Sequence, residues 1–211
     1  HVYVIDCRSH GESQTTKKGY RLSRLAKDAR EFFESLEVDK AFWMGHSMGC
    51  SVLWSYYDMY GKASVEKFVF VDEPPFLFAN PYDTEDEILA YGGNHIDVWH
   101  VCHALESDWE NGMKAFNRYF AMKLYAPYEN LSNLVQVYDS TAQISKDGAF
   151  FLSKLLVDHL QQDWRDVISE ISVPTLYVVG NHSHATTAEC VEWMKSTISN
   201  IKVIQFNGED H

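Results

Sequence analysis

The stretch Phe42-Trp43-Met44-Gly45-His46-Ser47-Met48-Gly49-Cys50 constrains the chain most, because it places a serine between two glycines where two different periodicities meet. Before it, Ala41 to Met44 is an apolar run that reads as a buried strand. After it, Ser51 to Tyr60 carries Val52, Leu53, Tyr56 and Tyr57 at helical spacing. A strand that passes directly into a helix needs a sharp bend. Gly45 and Gly49 leave room for close approach of the chain, and Ser47 must take a strained conformation that holds its hydroxyl outward.

The segments on either side repeat the alternation. Val2 to Ile5 is short, apolar and β-branched, and predicts a buried strand followed by the polar loop Asp6 to Ser13. Tyr20 to Leu36 predicts a helix from the spacing of Leu22, Leu25, Ala29, Phe32, Phe33 and Leu36. Val38 to Met44 is the next strand, Gly61 caps the helix that follows the serine, and Val65 to Val71 is a third strand, stopped by Asp72-Glu73-Pro74-Pro75. The strands are nearly continuous apolar runs, which favours a mostly parallel sheet with helices on both faces, an α/β fold. Late in the chain the pattern returns with a strand at Val173 to Gly180, a helix at Thr186 to Thr197 and a last strand at Ile201 to Phe206.

Between these parts, residues 76–165 read as helical and rich in aromatic residues, with helices expected at Asp97 to Leu105, Asp108 to Leu124 and Asp147 to Leu160. An insertion of that size between two strands predicts a helical cap over their carboxyl ends, with residues 1–75 and 166–211 forming the core. Aromatic residues of the insertion, Trp99 and Tyr119 among them, are candidates to line an apolar pocket, although helix packing accounts for most of them individually.

A net charge of −12 and the lack of a basic patch argue against a nucleic-acid partner that binds through phosphate contacts. The four cysteines, Cys7, Cys50, Cys102 and Cys190, are scattered and none is paired at zinc-ligand spacing, so reduced thiols in a cytoplasmic protein are expected. No signal segment or apolar run of membrane-spanning length is visible, although the sequence opens abruptly in a strand-like run and an upstream signal would be out of view. No cofactor is called for, and a homodimer is an open expectation.

A serine in such a bend is placed to act as a nucleophile. It then needs a base within hydrogen-bond reach, a third group that orients the base, and backbone donors for an oxyanion. Met48 supplies one donor, because its N–H opens the following helix; no candidate for a second donor lies upstream of Val2. Among the ten histidines, His211 is the best base, since it follows the last strand in a Gly-x-x-His turn. His10 lies in the loop after the first strand and could line the site. His46 reads as structural and turned away from the serine. His95, His100, His103 and His159 fall in the insertion, where surface or packing roles are the default. His182 and His184 follow a strand without a third ligand nearby, so no metal site is assigned. For the acid, Asp72 and Glu73 both end a strand, and two adjacent residues do not comfortably face one site. Asp72 is favoured, because it extends directly from the strand; Glu73 stays open through its longer reach.

These motifs resemble the α/β-hydrolase superfamily, in its cap-bearing branch of esterases, lactonases, haloperoxidase-like enzymes and haloalkane dehalogenases. Asp6-Cys7-Arg8-Ser9-His10-Gly11-Glu12-Ser13 is similar to the family's loop after its fourth strand, and Gly45-His46-Ser47-Met48-Gly49 to its nucleophile elbow. Asp163 to Val178 is similar to the return from the cap, and Asn207-Gly208-Glu209-Asp210-His211 to the turn that delivers the triad histidine. The resemblance implies a serine triad and leaves the substrate unspecified. It also implies that three strands and the oxyanion loop precede Val2 in the family. In most relatives the acid follows the seventh strand, where this chain has Ser183 and no carboxylate. In one subgroup of haloalkane dehalogenases and in zearalenone lactonase it follows the sixth, the place of Asp72. A serine at position 47 argues against dehalogenase and epoxide hydrolase chemistry.

The expectation is therefore a serine hydrolase for the ester or lactone of a mainly apolar small molecule. Two alternatives stay open: a non-catalytic ligand-binding member of the fold, motivated by the acid missing from its usual place, and a hydrolase of an amide or carbon–carbon bond.

Overall fold

A computed structural model describes residues 1–77, 146–183, 185–209 and 211, with short stretches at 84–87, 103–104, 107–108, 111–112 and 114. Its elements in chain order are α1 (Leu22–Glu34), β1 (Ala41–His46), α2 (Met48–Tyr60), β2 (Val65–Val71), α3 (Lys146–Leu160), α4 (Arg165–Ser169), β3 (Thr175–Gly180), α5 (Ala188–Thr197) and β4 (Ile201–Phe206). The four described strands form one parallel sheet in the order β1-β2-β3-β4, flanked by helices. This is the α/β architecture that the near-continuous apolar strands predict.

The register matters more than the count. His46 pairs with Val71, Val71 with Val178, and Gly180 with Phe206, so all four strands end along one edge. The residues that follow these ends are Ser47, Asp72, Ser183 and His211. The edge at the carboxyl ends of a parallel sheet is where such folds collect functional side chains.

The core lies on α2 and the middle strands. Trp54 and Tyr56 of α2, Phe68 and Phe70 of β2, Tyr177 of β3 and Met194 of α5 are fully buried. Each large apolar side chain withdrawn from water contributes about 1.5–3 kcal/mol. Helix α1 buries Leu22, Leu25, Ala26, Ala29 and Phe33 along one stripe. Its N-terminus has no side-chain cap of its own. Instead Asp158 of α3 accepts the Leu22 N–H at 2.8 Å, which places a carboxylate at the positive end of the helix. No described helix is long and apolar enough to cross a membrane.

Two expectations about strands fail. Val2 to Ile5 forms no strand, and Val2 and Val4 are 91% and 89% exposed. The strand β1 is not buried on both faces either: Phe42 and Met44 are 68% and 71% exposed. The causes differ. Val2 to Ile5 has no neighbouring ladder among the described residues to pair its N–H and C=O groups. In β1 the exposed Phe42, Met44 and His46 alternate with Trp43 and Gly45, so one face of that strand has no cover among the described residues. The helices expected at Asp97 to Leu105 and Asp108 to Leu124 fall largely outside the described residues, as do Trp99 and Tyr119.

Candidate active site

Ser47 occupies the bend between β1 and α2 with φ 51° and ψ −128°, a conformation that a side chain rarely adopts. Its N–H bonds the Val71 carbonyl at 3.0 Å, which carries the ladder one residue beyond the strand. The bend closes only because Gly45 lacks a side chain: a Cβ there would stand 2.5 Å from the Gly49 carbonyl carbon and oxygen. Gly49 plays the other part in this contact. A Cβ on Gly49 itself would meet no atom of the described residues within 4 Å. The two glycines, which the sequence pattern treats alike, are therefore unequal.

Asp72 repeats the device on the neighbouring strand. It has φ 48°, and its N–H bonds the Val178 carbonyl at 2.9 Å. This left-handed turn separates the two adjacent carboxyl groups. The Asp72 carboxylate stands 3.1 Å from Nδ1 of His211, whose Nε2 stands 2.8 Å from the Ser47 hydroxyl. A carboxylate can only accept, so Nδ1 carries the proton, Nε2 is left as the acceptor, and Ser47 donates to it. His46 does not turn away: its ring lies against that of His211, with centroids 4.9 Å apart.

The turn that carries His211 is latched to the end of β3. Asn181 accepts the Gly208 N–H through Oδ1 at 2.8 Å and its amide meets Asn207 Oδ1 at 3.2 Å, while the His182 N–H bonds the Glu209 carbonyl at 3.0 Å. The sequence reading passed over Asn181. His10, expected near the site, bonds the Arg8 carbonyl with Nδ1 at 3.1 Å inside its own loop. Met48 is the first residue of α2, so its N–H is one of the helix's open donors.

Glu73 does not meet His211. It is 2% exposed and lies under α2, where Oε1 accepts from the Ser51 hydroxyl at 3.3 Å and stands 3.2 Å from Nε2 of His159, in the last turn of α3. Nδ1 of His159 is buried and finds no partner among the described residues. Burial holds the Glu73 carboxyl well above the ordinary carboxylate range, with Asp72 adding to the shift against hydrogen bonds from Ser51 and Ser47. Burial likewise pushes His159 down to about 3. Burial thus works against the charged form of both partners in this contact. The other titratable groups facing Glu73 are the thiols of Cys50 and Cys190, both raised by burial and so uncharged, and Tyr177, whose hydroxyl donates to the Glu73 carbonyl.

A pH dependence of stability follows. The unfolded chain releases the Glu73 proton above about pH 4.5 while the fold retains it, so this residue costs stability as pH rises, by up to about 1.4 kcal/mol per pH unit. His159 acts on the acid side: its contribution is complete above 6.5 and is lost as pH falls toward about 3. Urea unfolding of E73Q, which has no proton to lose, is expected to show a stability advantage over the parent that widens as pH rises above about 4.5. An advantage that does not change with pH would contradict a Glu73 carboxyl raised by burial.

The comparisons with known proteins agree with this architecture. The family model for the alpha/beta hydrolase fold matches residues 1–211. A Bacillus subtilis AB hydrolase superfamily protein, YisY, is 22% identical over 208 residues, which are 98% of this chain and 73% of that protein. Among solved structures, a bromoperoxidase from Bacillus anthracis superposes with a TM-score of 0.72 at 22% identity, over 95% of this chain and 71% of that one. An esterase from Exiguobacterium antarcticum superposes with a TM-score of 0.69 at 21% identity, over 95% and 70%. With its sheet, its strand-end residues and a family match along its whole length, the chain belongs to the alpha/beta-hydrolase fold family.

Proposed function

We propose that this chain is a serine hydrolase that cleaves a carboxylic ester or lactone through an acyl-enzyme on Ser47. The observation that carries the reading is the hydrogen-bonded line from Ser47 through His211 to Asp72, at 2.8 Å and 3.1 Å. In this reading Nε2 of His211 takes the Ser47 proton as the oxygen attacks the substrate carbonyl. The imidazolium so formed is stabilised by Asp72, and the Met48 N–H donates to the tetrahedral oxyanion. His211 then gives its proton to the leaving alcohol. Water, deprotonated by the same imidazole, releases the acid and restores the serine.

The similarity to an esterase supports ester chemistry as the first class to assay. Asp72 is the acid of this reading and Glu73 is not, since it is the Asp72 carboxylate that meets Nδ1 of His211, while Glu73 meets Ser51 and His159. This also weakens the motive for a non-catalytic binder, because an acid meets His211 from β2. The substrate we propose is a mainly apolar small molecule, covered by a cap drawn from the part of the insertion that precedes α3; α3 itself packs against the core.

The reading is tested by hydrolysis of p-nitrophenyl acetate and butyrate. S47A is expected to lose at least roughly 10³-fold in kcat/KM with its circular dichroism and melting intact. Turnover equal to the parent would remove Ser47 as the nucleophile.

A further inference from the structure

Ser183 lies beyond β3, and its hydroxyl has all of its valences occupied. The oxygen accepts the N–H groups of Ala185 and Thr186 at 3.1 and 3.2 Å, and it donates to Asp72 Oδ1 at 2.9 Å. The loop is held from below. The buried Tyr177 hydroxyl lies 3.4 Å from the Thr186 hydroxyl and also donates to the Glu73 carbonyl at 3.2 Å. A hydroxyl has two lone pairs and one hydrogen. With both lone pairs taken by backbone N–H groups, the hydrogen has one direction left, toward Asp72.

We propose that Ser183 is a positioning residue that orients the side chain of residue 72 against His211, an inference that rests on the triad reading of the same site. The hydroxyl holds Oδ1, which leaves Oδ2 to face Nδ1 of His211. Either carboxylate oxygen accepts the Nδ1 proton, so with aspartate Ser183 fixes the direction of that bond, and only with an amide does it also fix the tautomer. The same hydrogen bond constrains D72N. The Ser183 hydrogen requires the amide oxygen on its own side, so the amide NH2 is turned toward Nδ1 of His211. An NH2 group only donates, so Nδ1 becomes the acceptor, and the ring proton moves to Nε2, pointing at Ser47. Without the Ser183 hydroxyl the amide is free to flip, and its oxygen can again accept from Nδ1.

The test is the set S183A, S183T, D72N and D72N/S183A, assayed with p-nitrophenyl acetate and by 15N NMR of the imidazole nitrogens. We expect D72N/S183A to turn over about tenfold faster than D72N, even though S183A alone slows the parent by about three- to tenfold in kcat with little change in KM. A purely structural role predicts the reverse order, with the second substitution adding to the damage. In the NMR arm, D72N is expected to hold the His211 proton on Nε2 and the double variant to return it to Nδ1. A double variant no faster than D72N, or one tautomer in both, would overturn the proposal. If D72N does not fold, the serine–threonine pair decides: S183T should restore the kcat lost in S183A, and an S183A variant equal to the parent would sink the idea. Absence of ester turnover in the unaltered protein would reject the hydrolase reading, and the NMR arm would still decide the role of Ser183.

Discussion

D72N is expected to lower kcat/KM for an activated ester by roughly 10³–10⁴-fold while the protein stays folded, and E73Q is expected to leave it within about threefold of the parent. The two residues are neighbours in sequence and equally buried, so burial alone predicts equal effects. Their surroundings decide otherwise. The left-handed turn at Asp72 sends its carboxylate to His211, where an acceptor of full negative charge fixes the ring and stabilises its protonated form. Glu73 meets Ser51, Ser47 and His159 rather than His211, and glutamine reproduces its shape and keeps an acceptor oxygen for the two hydroxyls. Steady-state kinetics on both variants, with melting curves to show that each is folded, checks the pair. A larger loss in E73Q than in D72N would move the acid to Glu73.

A second large effect is expected at Gly45. A methyl group there meets backbone atoms of Gly49 and Cys50 at 2.5–2.7 Å, which no rotamer change can relieve, so the bend has to open. G45A should lose about 1–3 kcal/mol of stability or more. Because a misplacement on the order of 1 Å costs about 10²-fold in rate, it should lose at least that much hydrolysis. G49A should behave oppositely. It removes the entropic cost of a glycine inside α2 and is expected to gain about 0.5–1 kcal/mol, with activity retained. Urea unfolding and ester hydrolysis of the two variants check this contrast, and equal losses at both positions would contradict the close approach at Gly45.

This asymmetry marks the limit of what the sequence shows. The Gly-x-Ser-x-Gly pattern between a strand and a helix is a local signal, and β1, α2 and β2 stand within a few residues of where periodicity places them. His211 was legible because it follows a strand in a turn. What stayed hidden depends on partners distant in sequence. Val2 to Ile5 has strand composition, but a strand needs a neighbour, and composition does not carry one. Which of Asp72 and Glu73 meets His211 goes with one backbone angle that nothing in Asp72-Glu73-Pro74 announces. Ser183 was noticed only as a place without a carboxylate, although that same place holds the hydroxyl that meets Asp72. In sequence His159 carries only the default of a surface or packing role, and its contact with Glu73 spans most of the insertion. Only a spatial neighbour turns residues like these into parts of a site.

Covalent capture tests the central claim most directly. The protein would be incubated with a fluorophosphonate, digested, and the modified peptide located by mass spectrometry. A single adduct on Ser47 is expected, formed quickly in the unaltered protein, far more slowly in D72N and not at all in S47A. An adduct on another residue, or none under conditions where the protein hydrolyses an ester, would contradict a nucleophilic Ser47.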